Sequence, residues 1–359
     1  MFRGKRPYLA GTPLRRLQVG QTARRTYLIR DPRRGLALAH NSSPFISAYD
    51  WVDDKGFGSK ATNPASLPAN NGLGMAFSPD GLFISVAHAT SPFLDIYNYS
   101  NEAGFGARVA NPGTLPPSAT LSTAWSPYGD FVAYGPNSTP FITVYPWTGA
   151  FGTKVDDPGS TPGSNVNSIA WSPDGRYLAM ATDSTPFIHV YQWTKNGFGT
   201  KFANPASLPP GQGTGIAWSP DQRYLGLSHS GAPFVTVYNW SDVGFGAKAT
   251  APASAPAGVC LAIAWTFAGD FIGVGSQTSP FILAWPWADG FGTRVADPVS
   301  ALAGQGRALM WNRTGDYMAI AHGTTPFITV YGWSAGFGTK AANPSTLPAS
   351  TGNGIGWHV

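Results

Sequence analysis

The chain has 359 residues, of which 44 are glycine, 32 proline and only one glutamate, Glu102, with 13% aromatic and 11% charged side chains. That supply of helix formers is too poor for a helical protein. The lone Cys260 excludes an intramolecular disulfide and a thiolate metal cluster, and no run of about 18 apolar residues is long enough to span a membrane.

The net charge of +5 is unevenly placed. Residues 1–34 hold ten bases (Arg3, Lys5, Arg6, Arg15, Arg16, Arg24, Arg25, Arg30, Arg33 and Arg34) against one acid, Asp31, a net +9. The other 325 residues hold 13 bases and 17 acids, a net −4. The segment is predicted to be a basic arm whose apolar anchors, Tyr8, Leu9, Leu14, Leu17 and Val19, argue against pure solvation. Such arms contact acidic surfaces: a partner protein, nucleic acid or a neighbouring subunit. The stretch MFRGKRPYLAGTPLRR lacks the apolar core of a signal peptide.

From Gly35 the chain repeats itself. Pro-Phe opens at Pro44, Pro92, Pro140, Pro186, Pro233, Pro280 and Pro326, in steps of 48, 48, 46, 47, 47 and 46 residues. Phe-Gly follows at Phe57, Phe105, Phe151, Phe198, Phe245, Phe291 and Phe337. A self-similar period of this length outranks any local motif. Each unit reads as four short strands: a first such as residues 215–218 (GIAW), a second such as 176–181, a third such as 187–193, and a fourth around 201–203. SPDG-type, Ser-Thr-Pro and Gly-Phe-Gly turns separate them. A four-stranded unit of about 40–50 residues is a propeller blade. It cannot bury both faces of its sheet alone, so neighbours must stack. Seven copies predict an all-β, seven-bladed β-propeller over residues 35–359, with residues 1–34 as its arm.

Two aromatic series recur with the unit. Trp125, Trp171, Trp218, Trp265 and Trp311, with Phe77, end first strands; Trp51, Tyr99, Trp147, Trp193, Trp240, Trp287 and Trp333 end third strands. Their size predicts packing between blades. The first unit lacks an obvious innermost strand. Residues 26–30 (TYLIR) are one candidate, without a Trp in place. Residues 354–359 (GIGWHV) are the other, with Trp357 over Trp218, and would close the ring with a C-terminal strand. Both candidates remain open here.

One base follows each Phe-Gly: Lys60, Arg108, Lys154, Lys201, Lys248, Arg294 and Lys340. They are predicted to ring the outer rim of one face. They serve either as gatekeeper charges on edge strands or as an anion-binding ring. The acidic body speaks against a nucleic-acid channel. His40, His88, His229 and His322 share one repeat position. Spread over separate blades they cannot gather round one ion, and they are expected to cap turns. No HExxH, GxSxG, P-loop or EF-hand spacing occurs. A propeller enzyme breaks its symmetry at one mouth with extra acids or bases, whereas the acids here spread over turns such as Asp174, Asp221, Asp270 and Asp316. The expectation is therefore no catalytic, metal-binding or cofactor-binding residue, and no enzyme.

The unit PFITVYxW…GFGTK…ANPxxLP…GIAWSPDGRYLA resembles the WD-type propeller repeats common in tailed-bacteriophage and prophage proteins. The resemblance covers residues 35–359, without the Gly-His and Trp-Asp dipeptides of eukaryotic WD repeats. It implies a non-enzymatic virion structural protein, made in the host cytoplasm and carried in a tail or capsid appendage. Arg3, Lys5, Arg6, Arg15, Arg16, Arg24, Arg25 and Arg30 would dock it to other virion proteins, and the ring would face a host surface glycan or protein. Nucleic acid would be met only through the arm. The alternatives are a carbohydrate-binding, lectin-like propeller, with inter-blade pockets and hydroxyls such as Ser184 and Thr185, and an intracellular protein-interaction scaffold. Fold alone does not decide among them.

Overall fold

The computed structural model describes residues 33–358. They form strands and turns without a helix, in seven antiparallel sheets arranged as the blades of a propeller. The fourth blade consists of Val166–Trp171, Tyr177–Thr182, Ile188–Thr194 and Gly197–Lys201, hydrogen-bonded in that order from the channel outwards. The next blade opens with Gly213–Trp218.

Two local expectations are corrected. The third strand begins at Ile188, one residue after Phe187, because that phenylalanine lies in the left-handed region at φ 67°. Its N–H donates to the Ser184 carbonyl at 2.8 Å and its own carbonyl accepts from the Thr182 N–H at 3.0 Å. All seven Pro-Phe phenylalanines share this φ, after a cis proline. Gly-Phe-Gly starts the outer strand and is not a turn before it. Gly197, at φ 106°, opens that strand, and Phe198 stands edge-on to Trp193 with ring centres 4.9 Å apart. In the third and sixth blades the outer strand shrinks to a single bridge, Trp147↔Phe151 or Trp287↔Phe291. There the third strand ends at Pro146 or Pro286, which has no N–H to give the ladder.

Gly352–Trp357 pairs antiparallel with Arg33–His40, Leu38 facing Ile355, and is the innermost strand of the first blade. Residues 26–30 lie outside the described residues.

The core sits between blades. One cluster joins Tyr177, Ala179 and Ala181 of the fourth blade to Ile216, Trp218, Leu225 and Leu227 of the fifth. The two aromatic series meet inside each blade: Trp171 is edge-on to Trp193 at 4.8 Å, Trp218 to Trp240 at 5.0 Å, and Trp357 to Trp51 at 5.3 Å. Edge-on pairs add roughly 0.5–1.5 kcal/mol beyond the area they bury. Most inner indoles also reach the preceding blade; Trp218 Nε1 donates to the Ala170 carbonyl at 3.2 Å and Trp357 Nε1 to that of Met310 at 3.2 Å. Close approach of innermost strands needs small residues at their third position. A Cβ on Gly354 would lie 2.9 Å from the Met75 nitrogen of the next blade.

Candidate functional site

The seven innermost strands enclose a channel. At its mouth, on the Pro-Phe-turn side, a cavity of about 200 Å³ is lined by the second, third and fourth residues of those strands. The third are small and the fourth mostly apolar, among them Met75, Ile169, Ile263, Leu309 and Ile355. The second residues differ from blade to blade. In ring order from the first blade they are Asn353, Leu73, Leu121, Asn167, Thr214, Leu261 and Arg307. Two polar arcs, Arg307 with Asn353 and Asn167 with Thr214, therefore stand opposite each other with leucines between.

Three of the four polar side chains are anchored by one rule: each donates to the first carbonyl of the next innermost strand. Asn167 Nδ2 reaches Gly213 at 2.9 Å, Thr214 Oγ1 reaches Cys260 at 2.5 Å, and Asn353 Nδ2 reaches Gly72 at 2.8 Å. The same amides bond to the residue that follows the second strand of their own blade. Asn353 Nδ2 donates to Asn41 Oδ1 at 2.6 Å, and Asn167 Nδ2 to Asp183 Oδ1 at 2.6 Å. Arg307 donates from Nε to Asn353 Oδ1 at 3.1 Å. It is half-buried and has no ion pair with any described residue. Burial lowers its pKa.

Among the predicted residues, the arm bases Arg3, Lys5, Arg6, Arg15, Arg16, Arg24, Arg25 and Arg30 lie outside the described residues. The rim bases stand one per blade. Lys60 donates to Asn63 at 2.5 Å, Arg108 is 2.6 Å from Asp95, Lys154 2.5 Å from Asp157, and Arg294 2.7 Å from Asp297. Lys201, Lys248 and Lys340 lie close enough to His189, His229 and His322 to lower their pKa values further than burial does. Trp357 lies in the wall between the first and seventh blades.

The repeated histidines span a hairpin. Nε2 of His40, His229 and His322 bonds to the hydroxyl of Ser47, Thr236 or Thr329 on the neighbouring strand at 2.9–3.0 Å. In the second blade that hydroxyl is replaced by buried Asp95, 3.1 Å from His88. The turn acids serve their own turns: Asp174 accepts from the Ser172 hydroxyl at 2.7 Å and Asp221 from that of Ser219 at 2.6 Å. No group of three or more His, Cys, Asp or Glu among the described residues could hold a metal ion, and no described helix is long and apolar enough to cross a membrane.

Asp183 and Arg307 are the functional candidates that sequence reasoning missed. Each is the one charged residue in a column that otherwise varies among uncharged types, and a column-by-column alignment of the seven units would have displayed both.

A sequence profile described as WD domain, G-beta repeat, matches residues 158–188; the unit is a WD-type repeat. No curated protein matches the chain. Solved structures do. A Bacteroides fragilis protein provisionally named a 6-phosphogluconolactonase superposes with a TM-score of 0.70 at 14% identity, covering 91% of this chain and 98% of that one. A Bacteroides uniformis protein of the same provisional name gives 0.70 at 16%, covering 91% and 99%. The periplasmic gluconolactonase of Pseudomonas aeruginosa gives 0.65 at 16%, also covering 91% and 99%. At such identities the likeness is one of fold. It nevertheless overturns the expectation of a non-enzymatic virion protein, with its carbohydrate-binding and scaffold alternatives, and the expectation of no enzyme: several solved rings of this fold carry lactonase names. Missing motifs say little about a ring, whose blades can each give one residue to a site.

Proposed function

We propose that the chain is a hydrolase of small lactones of the sugar-acid kind, acting at the mouth of the channel. The observation that carries this is Arg307, a half-buried guanidinium without a carboxylate partner among the described residues. A buried charge is normally paired, so an unpaired one at an open cavity is suited to an anion that arrives from outside. With Nε held by Asn353, the two terminal nitrogens remain to face a ligand.

The space suits one small ring. Its 200 Å³ falls below the roughly 300–1,000 Å³ of pockets that take drug-sized ligands. Leu73 and Leu121 offer an apolar side, and Asn167 a carbonyl oxygen for a ligand hydroxyl. When water adds to a lactone, negative charge gathers on the carbonyl oxygen, and a preorganised cation in a water-poor site stabilises it far better than water does.

The test uses the purified chain with glucono-δ-lactone and its 6-phosphate. Ring opening should run well above the spontaneous rate and disappear in Arg307→Met. No acceleration, together with no calorimetric binding of gluconate or 6-phosphogluconate, would overturn the proposal.

A further inference from the structure

We infer that Asp183 is the general base of this site; the inference rests on reading the mouth as a lactone-hydrolysing centre. Asp183 follows the second strand of the fourth blade, where the other six blades carry Asn, Ala, Asn, Ser, Gln and Gly. Two amides hold its carboxylate. Oδ1 accepts from Asn167 at 2.6 Å and Oδ2 from Asn165 at 2.9 Å. It makes no ion pair with a described residue. Asn167 lines the cavity, and the fourth blade stands across the ring from the seventh and first, which supply Arg307 and its Asn353 brace.

The first blade is a built-in control. Asn41 occupies the position of Asp183, and its Oδ1 accepts from Asn353 at the same 2.6 Å. A neutral amide therefore meets the bond from the cavity-lining asparagine, and the remaining bond needs only that Asn165 turn its carbonyl oxygen to the new NH2; the negative charge of Asp183 is surplus to both. A carboxylate so held, directly behind the Asn167 amide that lines the mouth across the ring from Arg307, can take a proton from water while Arg307 faces the growing oxyanion.

The step balances. Water gives a proton to Asp183 as its oxygen bonds to the lactone carbonyl carbon, and the carbonyl π pair moves onto oxygen beside Arg307. Return of that pair breaks the acyl carbon–ring oxygen bond. The ring oxygen takes the proton back from Asp183, leaving the hydroxy acid.

The test compares full-length Asp183→Asn and Asp183→Ala with the parent on glucono-δ-lactone. Asp183→Asn copies the first blade, so the melting temperature and KM should hold while kcat falls about 10²–10⁴-fold and the acid limb of the pH profile vanishes. Formate or azide should restore part of kcat to Asp183→Ala, which a purely structural role would not allow. Parental kcat in Asp183→Asn, or an unchanged pH profile with no rescue of Asp183→Ala, would overturn Asp183 alone. No turnover by the parent would overturn the lactonase reading and this inference with it.

Discussion

Between the fourth and fifth blades Trp218 meets Trp240 edge-on and reaches back to the Ala170 carbonyl. Between the seventh and first, Trp357 does the same to Trp51 and Met310. At the mouth, about 13 Å along the same strands, the second residues run Asn, Leu, Leu, Asn, Thr, Leu, Arg. A wall between blades is a packing problem with one good answer, which each copy of the unit repeats. A mouth around one ligand meets that ligand from seven directions, and its residues differ accordingly. In a ring of this kind, agreement among copies marks what holds the fold, and a departure in one copy marks a candidate for chemistry.

The largest expected effect lies in the walls, which should be equal in strength. Trp218→Ala and Trp357→Ala should each cost roughly 3–5 kcal/mol, as buried tryptophans do, a large share of a typical 5–15 kcal/mol. Urea unfolding of the two variants should give matching losses, although one residue lies mid-chain and the other in the strand that completes the first blade. A much smaller loss for Trp357→Ala would mean that the last wall is not built like the rest.

A smaller effect tests whether a departure can instead be structural. The second blade exchanges the common hydroxyl for Asp95 and its base for Arg108, which lie 2.6 Å apart, Asp95 fully buried and Arg108 about one-third exposed. Arg108→Ala leaves the buried Asp95 carboxylate with His88 and the Tyr97 hydroxyl alone. The cost should fall below the roughly 3–5 kcal/mol of a fully buried pair, because water reaches the guanidinium. Asp95→Thr with Arg108→Lys restores the pattern of the fifth and seventh blades and should recover most of the loss in urea unfolding. No recovery would show that the pair has a role beyond its wall.

The number of blades, the tryptophan walls and the pairing of Pro-Phe with Phe-Gly were legible in the sequence because a period of 46–48 residues states them seven times. Strand limits near Phe187 were not, since a left-handed phenylalanine contradicts the preference of its residue type. The outer strands at Pro146 and Pro286 could have been read as interrupted from the prolines alone. Asp183 and Arg307 stayed hidden because each stands out only against its six counterparts. The acids that drew attention, Asp174 and Asp221, are held by Ser172 and Ser219 in their own turns.

Comparable in size, but dependent on pH, is the share of the histidines. Burial lowers the pKa of His40, His189, His229 and His322 to about 4 from 6.5. Between those values the unfolded chain binds more protons than the folded one, so stability is full above pH 6.5, declines as pH falls to about 4, and then levels off. Each histidine contributes about 1.4 kcal/mol per pH unit to that slope. His229→Gln should remove one such share in urea unfolding followed from pH 7 to 4. An unchanged slope would mean that His229 is protonated in the folded ring.

The smallest effect on stability is expected where the effect on function is greatest. Arg307 is half-buried, its guanidinium lacks a carboxylate partner among the described residues, and burial disfavours its charge. Methionine fills much of the same volume without that penalty, and losing the single bond to Asn353 should cost only about 0.5–1.5 kcal/mol. Arg307→Met should therefore melt within a few degrees of the parent, since 1 kcal/mol moves a large domain by only about 2–4 °C, and it could melt higher. Groups placed for a ligand commonly lower the stability of the free protein, and their removal then stabilises it at the expense of function. In the same variant, binding of gluconate measured by calorimetry should be lost. A sharp fall in melting temperature would class Arg307 with the walls, as a residue the ring needs in order to stand. Unchanged melting together with unchanged gluconate binding would move the anion site away from the mouth altogether.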